Sequence, residues 1–197
     1  MTPKQEERIR KKIKRIKADL AADKRFWGGQ YHDGGGLRYL PPALYIKLGD
    51  YTGGLRYLNW FDKNFSDDAG FPDFLFECTI ILFKTKRLEK AEKMAFRTFC
   101  SNTYIFDKFL GKPVIPIDKE EYSNLEKPQY VIEFFEYSHT DESLFDFSHW
   151  LNELTQSEKF KSAASQFIQI QKQLKHEPNM DNRSALLDLA SKLQKEY

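Results

Sequence analysis

The sequence predicts an all-α protein, and three observations lead to this fold class. Apolar residues recur every three or four positions within charged stretches, which is the period of a helix with one buried face. Pro41, Gly49 and Pro72 stand where such stretches begin or end. The glycine clusters are not flanked by alternating apolar and polar residues, so no β-hairpin is predicted. We therefore expect at least seven helices and no sheet of more than two strands.

The first helix is predicted over residues 3–22, because Ile9, Ile13, Ile16 and Leu20 form one narrow apolar stripe among charged residues. The chain carries a net charge of only +2, but this charge is unevenly distributed. Residues 1–25 contain ten Lys and Arg against four Asp and Glu, which leaves +6 there and −4 over the remainder. The basic charge is therefore local and belongs to the first helix.

Glycine and proline divide the middle of the chain. Five of the ten glycines lie in 27–36, which must be a turn-rich connection. Pro41 and Pro42 suit the first turn of a helix that ends at Gly49. Further helices are predicted over 51–65, 72–86, 88–100 and 103–110.

The segment 112–118 contains two prolines and has no helical period, so an internal boundary of the chain is predicted there. Beyond it the helical pattern resumes. A break at Glu177-Pro178-Asn179 separates the last two helices. The helices predicted in this part cover 129–136, 141–154, 157–176 and 182–195.

The segment Leu44–Leu58 closely resembles the inter-helix turn and second helix of a tetratricopeptide repeat. In that family a glycine ends helix A, an aromatic residue opens helix B, a small residue lets the helices approach, and a large apolar residue follows. Here these roles fall on Gly49, Tyr51, Gly54 and Leu58. The pattern recurs 37 residues later at Leu88, Ala91 and Ala95, with Lys86 in place of the turn glycine, and a weaker copy includes Phe160, Ala163 and Phe167.

The chain as a whole also resembles bacterial tetratricopeptide-type proteins. The resemblance implies a right-handed stack of antiparallel helix hairpins, a TPR-like α-solenoid with capping helices. It divides the chain into a basic capping helix (1–25), two repeats (26–111), a proline-containing connection (112–128), and C-terminal helices with a degenerate repeat and a cap (129–197). An irregular helical bundle is the alternative. In either case the small residues Gly54 and Ala91 are predicted at close helix crossings.

The function implied by the resemblance is non-enzymatic binding of a protein or peptide on the concave face of the A helices. The lysine clamp of the chaperone-binding members is not reproduced. The alternative is that the protein's own terminal helices cover this face. The residues carried over to the face are Tyr39, Ile46, Lys47, Asp73, Phe76, Ile80, Phe83 and Lys84.

A second functional hypothesis rests on the run of basic residues in 8–17. Lysine and arginine on one helix can neutralise a phosphate backbone, so this helix could bind nucleic acid or associate with the ribosome. For the segment itself we favour a docked, solvated capping helix over nucleic-acid contact, and binding of a partner or an anionic lipid is the remaining alternative. The residues that would form this surface are Arg8, Lys11, Lys12, Lys14 and Arg15.

Enzymatic and metal chemistry find little support in the sequence. The loop around His32 and Asp33 is predicted to be a structural connection, with a binding loop as the alternative. The four histidines lack metal-ligand spacing, no nucleophile signature is present, and neither a metal nor a cofactor is expected. Cys78 and Cys100 are expected to be reduced. No apolar run approaches the length of a membrane span, and we expect a cytoplasmic protein.

Overall fold

A computed structural model describes all residues from Met1 to Tyr197, and its regular structure is entirely helical. This confirms the predicted all-α class, with more than seven helices and no strand. Three short 3-10 turns lie between helices, at Leu37–Tyr39, Asn124–Glu126 and Glu142–Leu144. The helices are α1 (Pro3–Phe26), α2 (Pro41–Leu48), α3 (Tyr51–Asn64), α4 (Pro72–Lys84), α5 (Leu88–Ser101), α6 (Ile105–Phe109), α7 (Pro128–Glu133), α8 (Phe145–Gln156), α9 (Glu158–His176) and α10 (Met180–Glu196).

The chain forms two compact units, Met1–Arg87 and Leu88–Tyr197. The first unit therefore contains α1 to α4 and the second contains α5 to α10. The division falls between the two helices assigned to the second repeat copy. The proline-containing segment 112–128 lies inside the second unit.

Helix α1 begins where its sequence pattern predicts, and its buried residues lie on the predicted apolar stripe. Thr2 and Gln5 form a capping box, and Pro3 occupies the first helical turn, where a missing N–H costs nothing. The buried residues of α1 are Ile13, Ile16 and Leu20, which belong to the predicted stripe. The helix continues to Phe26, four residues beyond the predicted end.

Helices α2, α3 and α4 pack against one another in the first unit. Gly49 ends α2 in the left-handed region, at φ 64°, which glycine adopts without strain. Asp50 then caps α3 by accepting a hydrogen bond of 2.8 Å from the backbone N–H of Gly53. A Cβ on Gly54 would lie only 2.9 Å from Cδ1 of Ile81 on α4. The predicted close helix crossing at Gly54 is confirmed, and Ala91 is fully buried.

In the second unit α9 packs against α5, α8 and α10. Tyr197 stacks on Phe96 with ring centroids 4.2 Å apart and meets Phe160 edge to face. Part of the segment 112–128 is tied to α9, because the backbone N–H of Glu120 donates to the carbonyl of Gln171 at 3.0 Å. The proline-containing stretch is therefore part of the packed unit.

Candidate functional site

The residues expected on the concave face do not form an open apolar surface. Ile46, Phe76, Ile80 and Phe83 are buried, and only two residues of α4, Asp73 and Lys84, are partly exposed. Tyr39 is also partly exposed, while Lys47 is exposed. A helix with two apolar faces must bury both or leave one for a ligand, and α4 has both faces buried. The predicted residues that remain accessible are therefore all polar or charged: Tyr39, Lys47, Asp73 and Lys84.

The loop between α1 and α2 is held by a network of hydrogen bonds around Arg38. Its guanidinium donates to Asp33 Oδ2 at 2.9 Å, to Asp68 Oδ2 at 2.8 Å and to the hydroxyl of Tyr39 at 2.7 Å. The hydroxyl of Tyr39 donates to Asp68 in turn. Tyr57 on α3 donates to the carbonyl of Arg38 at 2.8 Å. The loop is therefore attached to α3 and to the turn before α4.

Asp33 is a structural residue of this loop. Its carboxylate is buried and accepts from the backbone N–H groups of Leu37 and Arg38 as well as from the guanidinium. The residue adopts a positive φ of 30°, and Asp23 of α1 accepts from its N–H and from that of His32. The imidazole of His32 instead stacks on Trp27. Because the carboxylate of Asp33 is engaged with Arg38 and the loop backbone, the two side chains do not form a catalytic pair.

The pKa of Asp68 reflects the balance between burial and these hydrogen bonds. Burial alone would raise the pKa of the carboxyl group, but bonds from Tyr39, Arg38 and the N–H of Gly70 favour the charged form and lower it. Burial and the bond to Asp68 raise the pKa of Tyr39 to about 12. No local pattern in the sequence shows that Asp68 faces an arginine 30 positions earlier.

The outer face of α1 is strongly basic. Arg8, Lys11, Lys12, Lys14 and Arg15 are all exposed, on the part of the helix turned away from the buried stripe. Glu7 pairs with Lys11 at 2.8 Å and Asp19 lies 3.7 Å from Arg15, but both pairs are exposed. Exposed pairs contribute about 0–1 kcal/mol, so an incoming anion can replace them. We call these five residues the basic face.

An exposed aromatic group lies at the end of the same helix. Phe26 is 81% exposed and meets Trp27 edge to face at 5.3 Å, and Trp27, 50% exposed, stacks on His32 at 4.8 Å. Phe26 stands 11 and 18 positions after Arg15 and Arg8, spacings that return to the same side of a helix. We call Phe26, Trp27 and His32 the aromatic stack. Sequence reasoning missed it by ending the helix near residue 22, although the spacing of Phe26 was an available signal.

Neither a metal-binding cluster nor a membrane-spanning helix is found in the structure. No group of three or more His, Cys, Asp or Glu side chains has the geometry to hold a metal ion. No helix has the length and apolar character needed to cross a bilayer. Both cysteines are free thiols, and burial raises the pKa of Cys100, which keeps that thiol protonated and unreactive.

Comparisons with protein-family models, with curated proteins and with solved structures gave no match. The class of the protein therefore rests on its own geometry, which is that of an all-α protein with two compact helical units and a basic, partly aromatic helix face in the first unit.

Proposed function

We propose that this protein is a non-enzymatic interaction module that binds single-stranded nucleic acid through the basic face and the aromatic stack of α1. The observation that carries the proposal is the position of five exposed cations and an exposed aromatic group along one helix. Basic side chains that follow a phosphate backbone, next to rings on which bases stack, are the usual combination in proteins that bind single strands.

The scaffold behind this surface is proposed to be a right-handed stack of helix hairpins of the tetratricopeptide kind. The contacts of α2 support this architecture, since it packs against both α3 and α4 while α3 packs against α4. These contacts are the ones expected if α2 is helix A of a repeat, α3 is its helix B, and α4 is helix A of the next repeat. Arg10 lies 3.9 Å from Asp50 at the start of α3, and Lys24 bonds to Asn64 at its end. Helix α1 therefore runs in the same direction as α3, as a preceding helix B would.

The dimensions of the face suit an extended strand. From Arg8 to Phe26 the helix rises roughly 27 Å at about 1.5 Å per residue. Between Arg15 and Arg25 this side of the helix carries the small side chains of Ala18 and Ala22 and the exposed carboxylate of Asp19, which lies 3.7 Å from Arg15. A strand with its phosphates on the basic face can therefore place a base against Phe26 or Trp27.

A direct test measures the anisotropy of a labelled oligouridylate titrated with the full chain at several salt concentrations. For a single strand, the logarithm of the binding constant falls with log salt by about 0.7 per neutralised phosphate. Replacing Arg8, Lys11 and Arg15 with Gln is expected to weaken binding and to reduce that slope by about 2. Glutamine keeps the helix propensity. The control replaces Lys90, Lys93 and Lys195, exposed lysines of the second unit, with Gln and should leave binding unchanged.

Parallel titrations with polyglutamate and with vesicles rich in phosphatidylserine show whether the α1 surface prefers nucleic acid to an acidic polypeptide or an anionic membrane. Trp27→Ala should weaken binding of the oligouridylate much more than any binding of polyglutamate, because only bases stack on the indole. The nucleic-acid proposal fails if polyglutamate or the vesicles bind as tightly as the oligouridylate. It also fails if the Trp27 variant binds the oligouridylate normally.

A second candidate function is recognition of a protein or peptide on the helix-A face. It is favoured by the packing of α2 beside α4, which carry the exposed Lys47 and the partly exposed Lys84. Two cations on adjacent helices could hold an acidic segment. Capture from native lysate by the wild type and by a Lys47→Glu/Lys84→Glu variant tests this candidate. It is abandoned if the two capture the same proteins at low salt.

A further inference from the structure

The second unit contains a surface cleft of about 250 Å³ that none of the functions above uses. It opens where α6 and the start of α9 meet, and its apolar wall consists of Phe99, Phe106 and Phe160. These three rings are packed against one another, with Phe99 and Phe160 centroids 5.5 Å apart and Phe106 and Phe160 centroids 6.1 Å apart. The wall is therefore a packed aromatic cluster against which an apolar group of a ligand can pack.

Two polar groups that line the cleft have no hydrogen-bond partner. The hydroxyl oxygen of Thr103 is buried and unpaired. Asp107, one helical turn later, is half-buried and makes neither a side-chain hydrogen bond nor an ion pair closer than 4 Å. Burial raises the pKa of Asp107, and the more distant charge of Lys112 only partly offsets this. The carboxylate of Asp107 is partly exposed in the cleft and has no hydrogen-bond partner in the protein, so it is available to a ligand that enters there.

The rim of the cleft is positively charged. Lys112 and Lys161 both line it, and the ammonium of Lys112 lies 3.4 Å from the amide oxygen of Asn152. The charged side chains of the cleft are therefore one inner carboxylate and two outer ammonium groups. A simple amine would be repelled by the lysines, and a simple carboxylate would leave the carboxylate of Asp107 without a partner. A ligand that carries both charges satisfies both parts of the cleft.

We propose that this cleft binds a small zwitterion of the free α-amino-acid class with an apolar side chain. The ligand ammonium donates to the carboxylate of Asp107. The ligand carboxylate lies toward Lys161, and the apolar side chain packs on Phe106 and Phe160. The site is independent of the nucleic-acid surface, because all of its residues belong to the second unit.

The size of the cleft agrees with this class of ligand. Pockets for drug-sized molecules occupy about 300–1,000 Å³, so a cleft just below that range suits a smaller ligand. Two charge-assisted contacts and one apolar wall are the recognition elements that such a ligand requires.

The proposal is tested by calorimetric and NMR titration of the full chain with L-leucine and L-phenylalanine. The matched probes are 4-methylpentanoate, which lacks the amine, and 3-methylbutylamine, which lacks the carboxylate. At least one amino acid should bind, about tenfold or more tightly than either single-charge probe, since each loses one charged contact. The proposal is overturned if neither amino acid binds, or if a single-charge probe binds equally well.

Variants then assign the contacts. Asp107→Asn keeps nearly the same volume and should weaken amino-acid binding by about tenfold or more. Lys161→Met should weaken it through loss of the carboxylate contact. The controls are Asp188→Asn and Lys195→Met, exposed residues outside the cleft that make the same charge changes. Wild-type affinity in Asp107→Asn would overturn the proposal, and retention of the helical circular dichroism signal shows that this variant is folded.

Discussion

At the scale of single residues, burial separates side chains that support the fold from those that are available for binding. Phe83 of α4 is only 7% exposed, whereas Phe134, just after α7, is 62% exposed. Both residues are phenylalanines, so residue type alone does not tell them apart. Only the position of each side chain in the packed chain distinguishes them.

Phe83→Ala is expected to lower the free energy of unfolding by about 3–5 kcal/mol, because the substitution removes a buried ring and leaves a cavity. Phe134→Ala is the control and should change it by less than about 0.5 kcal/mol, as is usual at the surface. Urea denaturation followed by circular dichroism measures both. A near-neutral Phe83→Ala would mean that the ring is accessible, and the helix-A face would again become the leading candidate surface.

The Arg38 network makes stability depend on pH in a definite direction. The folded-state pKa of Asp68 is lower than the unfolded value of about 3.9, so its charged form stabilises the fold. That contribution is fully present above the unfolded pKa and is lost as the pH falls through the folded pKa. Thermal unfolding measured as the pH is lowered from about 5 to about 2 should therefore show a steeper decline for the wild type than for Asp68→Asn. Parallel curves would show that the carboxylate contributes nothing to this acid dependence.

At the scale of helices, the contact between α3 and α4 depends on a residue without a side chain. Gly54→Leu would force atoms into the space held by Ile81 and should cost about 1–3 kcal/mol of stability through overpacking. Gly35→Ala is a suitable control, because a Cβ there meets no atom within 4 Å. A fully stable Gly54→Leu, compared by thermal unfolding, would mean that the two helices can move apart freely.

The helix ends that sequence analysis placed closely include those with local start and stop signals. Thr2 and Gln5 define the start of α1, and Gly49 followed by Asp50 defines the turn between α2 and α3. These signals act within a few residues and can be recognised without tertiary information.

Other features depend on contacts that the local pattern does not contain. Two apolar stripes on α4 are equally compatible with an open groove and with burial, and only the packed chain shows that both are buried. The pairing of Arg38 with Asp68 joins positions 30 apart in the sequence. The cleft beside Asp107 was not predicted for the same reason, because its residues come from four separate stretches of the second unit.

At the scale of the whole molecule, the two proposed sites belong to different units and share no residue. Changes at distant sites that share no contacts usually have additive effects. Asp107→Asn should therefore leave the affinity for oligouridylate unchanged, and the triple Gln variant of α1 should bind amino acids normally. Loss of both activities in either variant, with the helical signal retained, would show that the sites are coupled.

The aromatic stack also has a spectroscopic consequence. Trp27 is half exposed, whereas the other two tryptophans, Trp60 and Trp150, are less exposed. A base that stacks on the Trp27 indole would quench its fluorescence, so the protein carries an intrinsic optical reporter at the end of α1. Trp27→Phe retains an aromatic ring but removes this emission. The difference between wild-type and variant spectra then isolates the signal of a single indole, without any attached dye.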